Sequence, residues 1–160
     1  MRRLVSTLVV GTLVVLVAAC GHEAKPLDHL TLPSGYQLAP VEQGEPAAFR
    51  RQYRADAGAS DVAVHRVDTP IGGPGLVVVA LAWPHPMGDR VADVARRLAK
   101  DVPIGGSRPA TVAGHPAQVH EADDTFQSTV LAVDGRRGVL VYGGTLGDAK
   151  VLAEAALRSW

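Results

Sequence analysis

Serine, histidine and acidic residues occur along the chain, but not in the spacing that hydrolytic enzymes use. Ser107 follows two glycines, yet the final glycine of the G-x-S-x-G nucleophile motif is missing. Ser60 precedes a predicted strand, whereas a nucleophile of that kind stands between a strand and a helix. Four histidines are potential bases for a catalytic triad: His65, His85, His115 and His120. Because no serine has the required context, we predict that the protein is not an enzyme.

Side chains of the types that can bind metal ions are concentrated in one short stretch of the sequence. Zinc requires converging His or Cys ligands, and calcium requires more oxygen ligands at alternating positions. Successive side chains on a strand point to opposite faces, so neighbouring ligands in this stretch would diverge. We therefore predict no metal site and no cofactor. The residues considered are His115, His120, Glu121, Asp123 and Asp124.

Cys20 is the only cysteine in the chain, and its thiol is a potential site of covalent modification. It follows two arginines at positions 2 and 3, an apolar run over residues 4–19 and the small residues Ala18 and Ala19. A positive start, a short apolar core and small residues before a cleavage site are typical of a secretory signal peptide. The run is too short and too poorly flanked to form a stable membrane-spanning helix.

The tetrad over residues 17–20, Val-Ala-Ala-Cys, resembles the lipobox of bacterial lipoproteins, in which an aliphatic residue and two small residues precede an invariant cysteine. The resemblance implies cleavage before Cys20, a diacylglycerol thioether on its sulfur and palmitate among the acyl chains. We expect a signal peptide over residues 1–19, a lipidated tether over 20–33 and one globular domain over 34–160. The protein would then be anchored to the extracytoplasmic face of the cell membrane. An ordinary signal peptide with an incidental cysteine is the alternative.

The charge balance argues against binding to nucleic acid or to an anionic membrane through charge alone. Removal of the signal peptide with its two arginines leaves 14 basic and 16 acidic residues, a net charge of −2. Because a basic surplus is absent, we predict no nucleic-acid partner, and membrane attachment has to come from the lipid. Lysine is scarce and asparagine is absent, which fits the codon bias of a high-GC genome such as that of an actinobacterium. The polar tether offers little apolar surface, so we expect it to contribute little to folding.

Hydrophobic periodicity predicts an α+β domain: an antiparallel sheet of five or six strands packed by two or three amphipathic helices. The continuous apolar run over residues 76–82 predicts a central strand that is buried on both faces. Thr145 and Asp148 are close to a capping box at the start of the last helix. The candidate elements are a short strand at 36–38, a helix from 45 to a stop at Gly58, strands at 62–67 and 76–82, a helix over 88–102, strands at 110–112, 117–119, 129–133 and 139–142, and a final helix.

This order of elements, the early LPSGY over residues 32–36, the late valine-rich hairpin and the closing helix resemble PsbP-like domains of mycobacterial cell-envelope lipoproteins. The resemblance implies a domain that binds proteins or ligands and is not typically a catalyst.

Trp83, His85 and Met87 are the candidate site for binding a ligand or partner. They follow the end of the most apolar strand, where loops often carry binding residues. Trp and Met are suited to lining a pocket between sheet and helix. The alternative is that Trp83 only covers the rim of the core. We therefore expect an envelope lipoprotein whose domain binds a protein partner or a small apolar ligand. An exported hydrolase and a structural accessory subunit of an envelope complex are the competing hypotheses.

Overall fold

The structure, a computed structural model, describes residues 30–40, 45–72, 75–100, 104, 106–121 and 127–160. Cys20, the signal peptide and most of the predicted tether lie outside these residues. None of the described helices has the length and apolarity needed to cross a membrane. The elements are β1 (Gln37–Ala39), α1 (Glu45–Ala57), β2 (Asp61–Asp68), β3 (Leu76–Ala82), a 3₁₀ turn (Gly88–Arg90), α2 (Val91–Leu98), β4 (Arg108–Val112), β5 (His115–His120), β6 (Thr129–Asp134), β7 (Arg137–Tyr142) and α3 (Leu146–Arg158).

The described strands form one antiparallel sheet of seven, in the order β1-β2-β3-β7-β6-β5-β4. The predicted α+β class and antiparallel sheet are confirmed, but the expected count of five or six strands is wrong. Every candidate segment becomes a strand, including the three-residue β1. Strand β1 is held by pairing with β2, where Leu38 lies opposite Val67. The three helices agree with the predicted two or three.

The sheet is covered by helices on both faces, so the molecule has three layers. Strand β3 is buried along nearly its whole length, as its continuous apolar run predicts. Val79 and its neighbour Leu140 pack with α1 and α2 on one face. Val78 and its neighbour Val141 pack with α3 on the other. The apolar stripe of α3 is buried as predicted: Ala149, Leu152, Ala153, Ala156 and Leu157.

Helix α1 ends where the sequence predicts, whereas α2 is shorter than predicted. Helix α1 stops at Gly58, whose φ of +64° is the left-handed conformation that glycine adopts without steric cost after a helix. Helix α2 is shorter than predicted, because it begins only after the 3₁₀ turn and ends at Leu98. The predicted stop at Pro103 lies outside the described residues. Short as it is, α2 buries Val94 and Leu98 completely.

The residues just before β1 contact the domain, which differs from the expectation for the end of the tether. Leu30 and Leu32 are partly buried against the cluster around α3. The Thr31 N–H donates to Ser159 Oγ at 3.0 Å. The described chain therefore joins the domain beside the C-terminal end of α3.

A hydrogen-bond network ties this N-terminal segment to the start of α3. Thr145 caps the helix by accepting from the Asp148 N–H at 3.1 Å, and its hydroxyl donates to Asp148 Oδ2 at 2.6 Å. The Tyr36 hydroxyl donates to Asp148 Oδ1 at 2.5 Å. These bonds from Thr145 and Tyr36 lower the pKa of Asp148. Burial, together with the bond to the Asp148 carboxylate, raises the pKa of Tyr36 to about 12.

The bond between Tyr36 and Asp148 should make stability depend on pH at both ends of the scale. Because the folded state lowers the pKa of Asp148, its contribution is present above the usual value of 3.8 and is lost as the pH falls below it. Because the folded state raises the pKa of Tyr36, its contribution is present below 10.0 and is lost as the pH rises towards about 12. Tyr36→Phe should cost about 1 kcal/mol near neutral pH, since both groups are only half-buried. Urea unfolding should show this difference shrinking below about pH 4 and above about pH 10.

Tyr142→Phe is the control, because the Tyr142 hydroxyl contacts Tyr53 at 3.4 Å and, among the described residues, no carboxylate. Its cost should not change between neutral and acid pH. A cost for Tyr36→Phe that is equally constant would show that the bond to Asp148 does not stabilise the fold.

Candidate functional site

Trp83, the first residue after β3, is fixed by two hydrogen bonds to backbone carbonyls. Its own N–H donates to the Arg136 carbonyl at 2.8 Å, in the turn between β6 and β7. Its indole Nε1–H donates to the Ala57 carbonyl at 3.0 Å. Since Ala57 is the last residue of α1, the indole satisfies one of the carbonyls that a helix leaves unpaired at its C-terminus. Trp83 thereby joins the sheet to α1.

The distal edge of the Trp83 ring packs against Gly138 of β7. A β-carbon on Gly138 would lie 2.6 Å from Cη2 and 2.7 Å from Cζ3 of Trp83, closer than carbon atoms approach one another. The same β-carbon would lie 3.2 Å from the Ala132 carbonyl oxygen. A glycine is therefore required here, because the ring occupies the space that any side chain would fill.

A shallow cleft of about 100 Å³ opens beside Trp83, between the end of α1 and helix α2. The loop after β3 forms one wall. Its conformation is held by the Met87 N–H, which donates to the Gly135 carbonyl at 2.8 Å, and by the Arg90 N–H, which donates to the Met87 carbonyl at 3.0 Å. The residues lining the cleft are Ala57, Gly58, Trp83, Pro84, His85, Met87, Arg90 and Arg97.

The three residues predicted to form a site all line this cleft, but in different ways. Trp83 and Met87 are only 5% and 4% exposed and belong to the core cluster that packs under α1 and α2. His85 is exposed on the rim. Trp83 thus packs in the core and lines the cleft at once. Whether the cleft binds a partner stays a prediction.

The other candidate residues are dispersed or engaged in structural bonds. The Ser60 hydroxyl donates to the Ala82 carbonyl at 3.0 Å, and the Ser107 hydroxyl contacts Gln118 Oε1 at 3.4 Å. His115 lies 3.4 Å from Asp134, while His120 is at the other end of β5. Within the described ranges, no three His, Cys, Asp or Glu side chains converge as they would around a metal ion. Asp123 and Asp124 lie outside those ranges.

Arg90 and Arg97 also line the cleft, although neither was predicted as a site residue from the sequence. They are seven residues apart, about two turns of the helix predicted over this stretch, and that spacing is the signal that places them on one side. The Arg97 Nη1 atom lies 3.6 Å from the position that a β-carbon on Gly58 would take, beside the C-terminus of α1. A cation is favourable there, because the unpaired carbonyls give a helix C-terminus a partial negative charge. Gly58, whose role as a helix stop was predicted, gains a second role in the cleft wall.

Comparison with known proteins adds no relationship: no protein-family model matches this chain, and no curated protein sequence matches it.

The contact between Trp83 and Gly138 predicts that Gly138→Ala is destabilising. The added methyl group cannot avoid the ring, because the ring is buried and held by its bond to Ala57. Overpacking of this kind costs about 1–3 kcal/mol, measurable by urea unfolding. Gly147→Ala is the matched control: nothing lies closer than 3.6 Å to its β-carbon, so the gain in helix propensity should make it neutral or slightly stabilising.

A double-mutant cycle tests the cause of that destabilisation. Combining Gly138→Ala with Trp83→Phe, whose ring is smaller, should cost less than the sum of the two single changes. Additive costs would show that Trp83 is not what excludes a side chain at position 138.

Proposed function

We propose that this protein is a lipid-anchored lipoprotein of the bacterial cell envelope whose domain binds a protein partner at the Trp83 cleft. Cys20 carries the lipid, and the domain lies on the extracytoplasmic side of the membrane. The single observation that supports the binding function is the cleft itself, which gathers Trp83, His85 and Met87 at the end of the most buried strand. The PsbP-like character of the domain is part of the proposal, and the observed order of strands and helices agrees with the order on which that resemblance rests.

The size and lining of the cleft favour a protein partner over an enclosed apolar ligand. Pockets for small molecules typically measure about 300–1,000 Å³, well above the volume of this cleft. Its floor is aromatic, whereas its rim carries the exposed polar side chains of His85, Arg90 and Arg97. An aromatic residue at the centre of a polar rim is typical of a protein interface. A cleft of this size accommodates one side chain of a partner, with the flanking loops contacting the surrounding surface.

The cleft lies at the same end of the domain as the point where the described chain begins. Ala82, the last residue of β3, pairs with Arg137. The Arg137 guanidinium donates to the Trp160 carbonyl at 2.7 Å, which places the end of α3 at this end of the sheet. Thr31 is bonded to Ser159 beside it. The ten Cα-to-Cα steps from Cys20 to Leu30 span about 35 Å at most. In the proposed arrangement the cleft is therefore at the end of the domain nearest the anchor, and its partner is a protein at the membrane surface.

Anchoring is tested by replacing the modified cysteine. Cys20→Ser removes the only thiol and with it the attachment point for the diacylglycerol thioether. Two or more acyl chains give stable membrane attachment, so the wild-type protein should be in the membrane fraction and should move into the detergent phase on extraction. The variant should either stay uncleaved, with a larger mass, or be recovered in soluble form. A processed variant that still enters the detergent phase would contradict lipidation at Cys20.

Binding at the cleft is tested best from its exposed rim, because truncating Trp83 would also remove core packing. A photo-crosslinking amino acid in place of His85, in the lipidated protein in its native host, should form a covalent product with a partner. The control is the same amino acid in place of Ile71, which is 85% exposed at the opposite end of the sheet. A product formed only from position 85 is the expected result. No product, or the same products from both positions, would contradict a partner site at the cleft.

A further inference from the structure

Among the described residues, the two arginines of the cleft have no acidic partner, whereas two neighbouring arginines do. Arg54 pairs with Asp61 at 3.2 Å, and Arg96 pairs with Asp93 at 2.7 Å. Within the part of the chain that the structure describes, no carboxylate forms an ion pair with Arg90 or Arg97. Both side chains are exposed. The cleft therefore presents two guanidinium groups above an aromatic floor.

The local geometry directs these two groups to the same opening. Side chains on a helix lean towards its N-terminus, so Arg97, in the last turn of α2, reaches back towards Arg90 and the cleft. Its Nη1 atom lies beside Gly58 on the opposite wall. The partial negative charge at the C-terminus of α1 explains the position of Arg97, but the side chain of Arg90, unlike its backbone N–H, forms no hydrogen bond or ion pair within the described residues.

We propose that the cleft receives an acidic side chain, Asp or Glu, of the protein partner, with Arg90 and Arg97 binding its carboxylate. A guanidinium group donates two parallel hydrogen bonds to a carboxylate, which gives geometric specificity as well as attraction. The volume of about 100 Å³ fits one such side chain, and the Trp83 ring packs against its methylene groups. The nearby C-terminus of α1 disfavours a doubly charged phosphate more than a singly charged carboxylate. This inference rests on the proposed function, since it names the chemistry that the partner presents to the same cleft.

The two tryptophans of the chain provide a direct measurement. Labelling tryptophan with ¹⁵N yields two indole N–H signals, from Trp83 on the floor of the cleft and from Trp160 on the other face of the sheet. The probe is the peptide acetyl-Gly-Glu-Gly-amide, added to the mature protein in detergent micelles at low salt. The Trp83 signal should shift saturably while the Trp160 signal stays in place. The neutral peptide acetyl-Gly-Gln-Gly-amide should shift neither signal.

The arginine variants identify the source of the shift. Arg90→Gln combined with Arg97→Gln should weaken the apparent binding of the acidic peptide at least ten-fold. Arg96→Gln, on the same helix but already paired with Asp93, should leave it unchanged. An unmoved Trp160 signal in each variant shows that the fold is intact.

Three results would overturn the inference: no shift of the Trp83 signal in the wild-type protein, a shift that survives the double substitution, or a larger and tighter response to inorganic phosphate than to the acidic peptide. The last result would assign the cleft to phosphorylated groups. Crosslinking from position 85 is a separate measurement, and its result does not depend on any of these outcomes. A crosslinked partner without a response to the acidic peptide would contradict the binding of a carboxylate but would still support a partner-binding site at the cleft.

Discussion

The burial of strand β3 on both faces is the constraint on which the rest of the structure depends. Its seven residues offer no polar face to solvent, so the sheet around it has to be covered from both sides. Helices α1 and α2 cover one face and α3 covers the other. The pairing of β3 with β7 brings the last strand of the chain to the centre of the sheet. The two halves of the sheet, one built from β1 to β3 and the other from β4 to β7, thereby share one core.

The cleft is a consequence of how this central strand ends. After Ala82 the chain leaves the sheet, and Trp83 packs over Gly138 while its indole bonds to the end of α1. The aromatic ring is large enough to close the core at its edge but leaves a depression above it, bordered by α1, α2 and the loop over residues 84–87. Rigid support from the core and exposed polar side chains at the rim are properties that a recognition site needs. The same residues stabilise the fold and define the shape of the cleft.

The contacts of the N-terminal segment with α3 affect how the domain would be oriented at a membrane. Leu30 and Leu32 pack on the α3 face, and Tyr36 bonds to Asp148 at the start of that helix. The segment thus runs along α3 from its C-terminal to its N-terminal end before β1 begins. This contact fixes the end of the domain from which any tether would leave. If the protein is anchored as proposed, this attachment sets which end of the domain lies nearest the anchor.

The order of the elements, the double-sided burial of β3, the cap at Thr145 and the stop at Gly58 were all determined by local sequence. Each depends on residues within one or two helical turns, where periodicity and backbone preference act directly. The pairing of β1 with β2, the packing of Leu30 against the cluster around α3 and the true length of α2 were decided only by tertiary structure, because they depend on partners far away in the sequence. The site shows the same division. Trp83, His85 and Met87 were recognisable from their position after an apolar run, whereas Arg97 joins them only because α2 packs beside the end of α1. Likewise, the requirement for glycine at position 138 cannot be derived from its neighbours in sequence, because the atoms that exclude a side chain belong to a tryptophan 55 positions earlier in the chain.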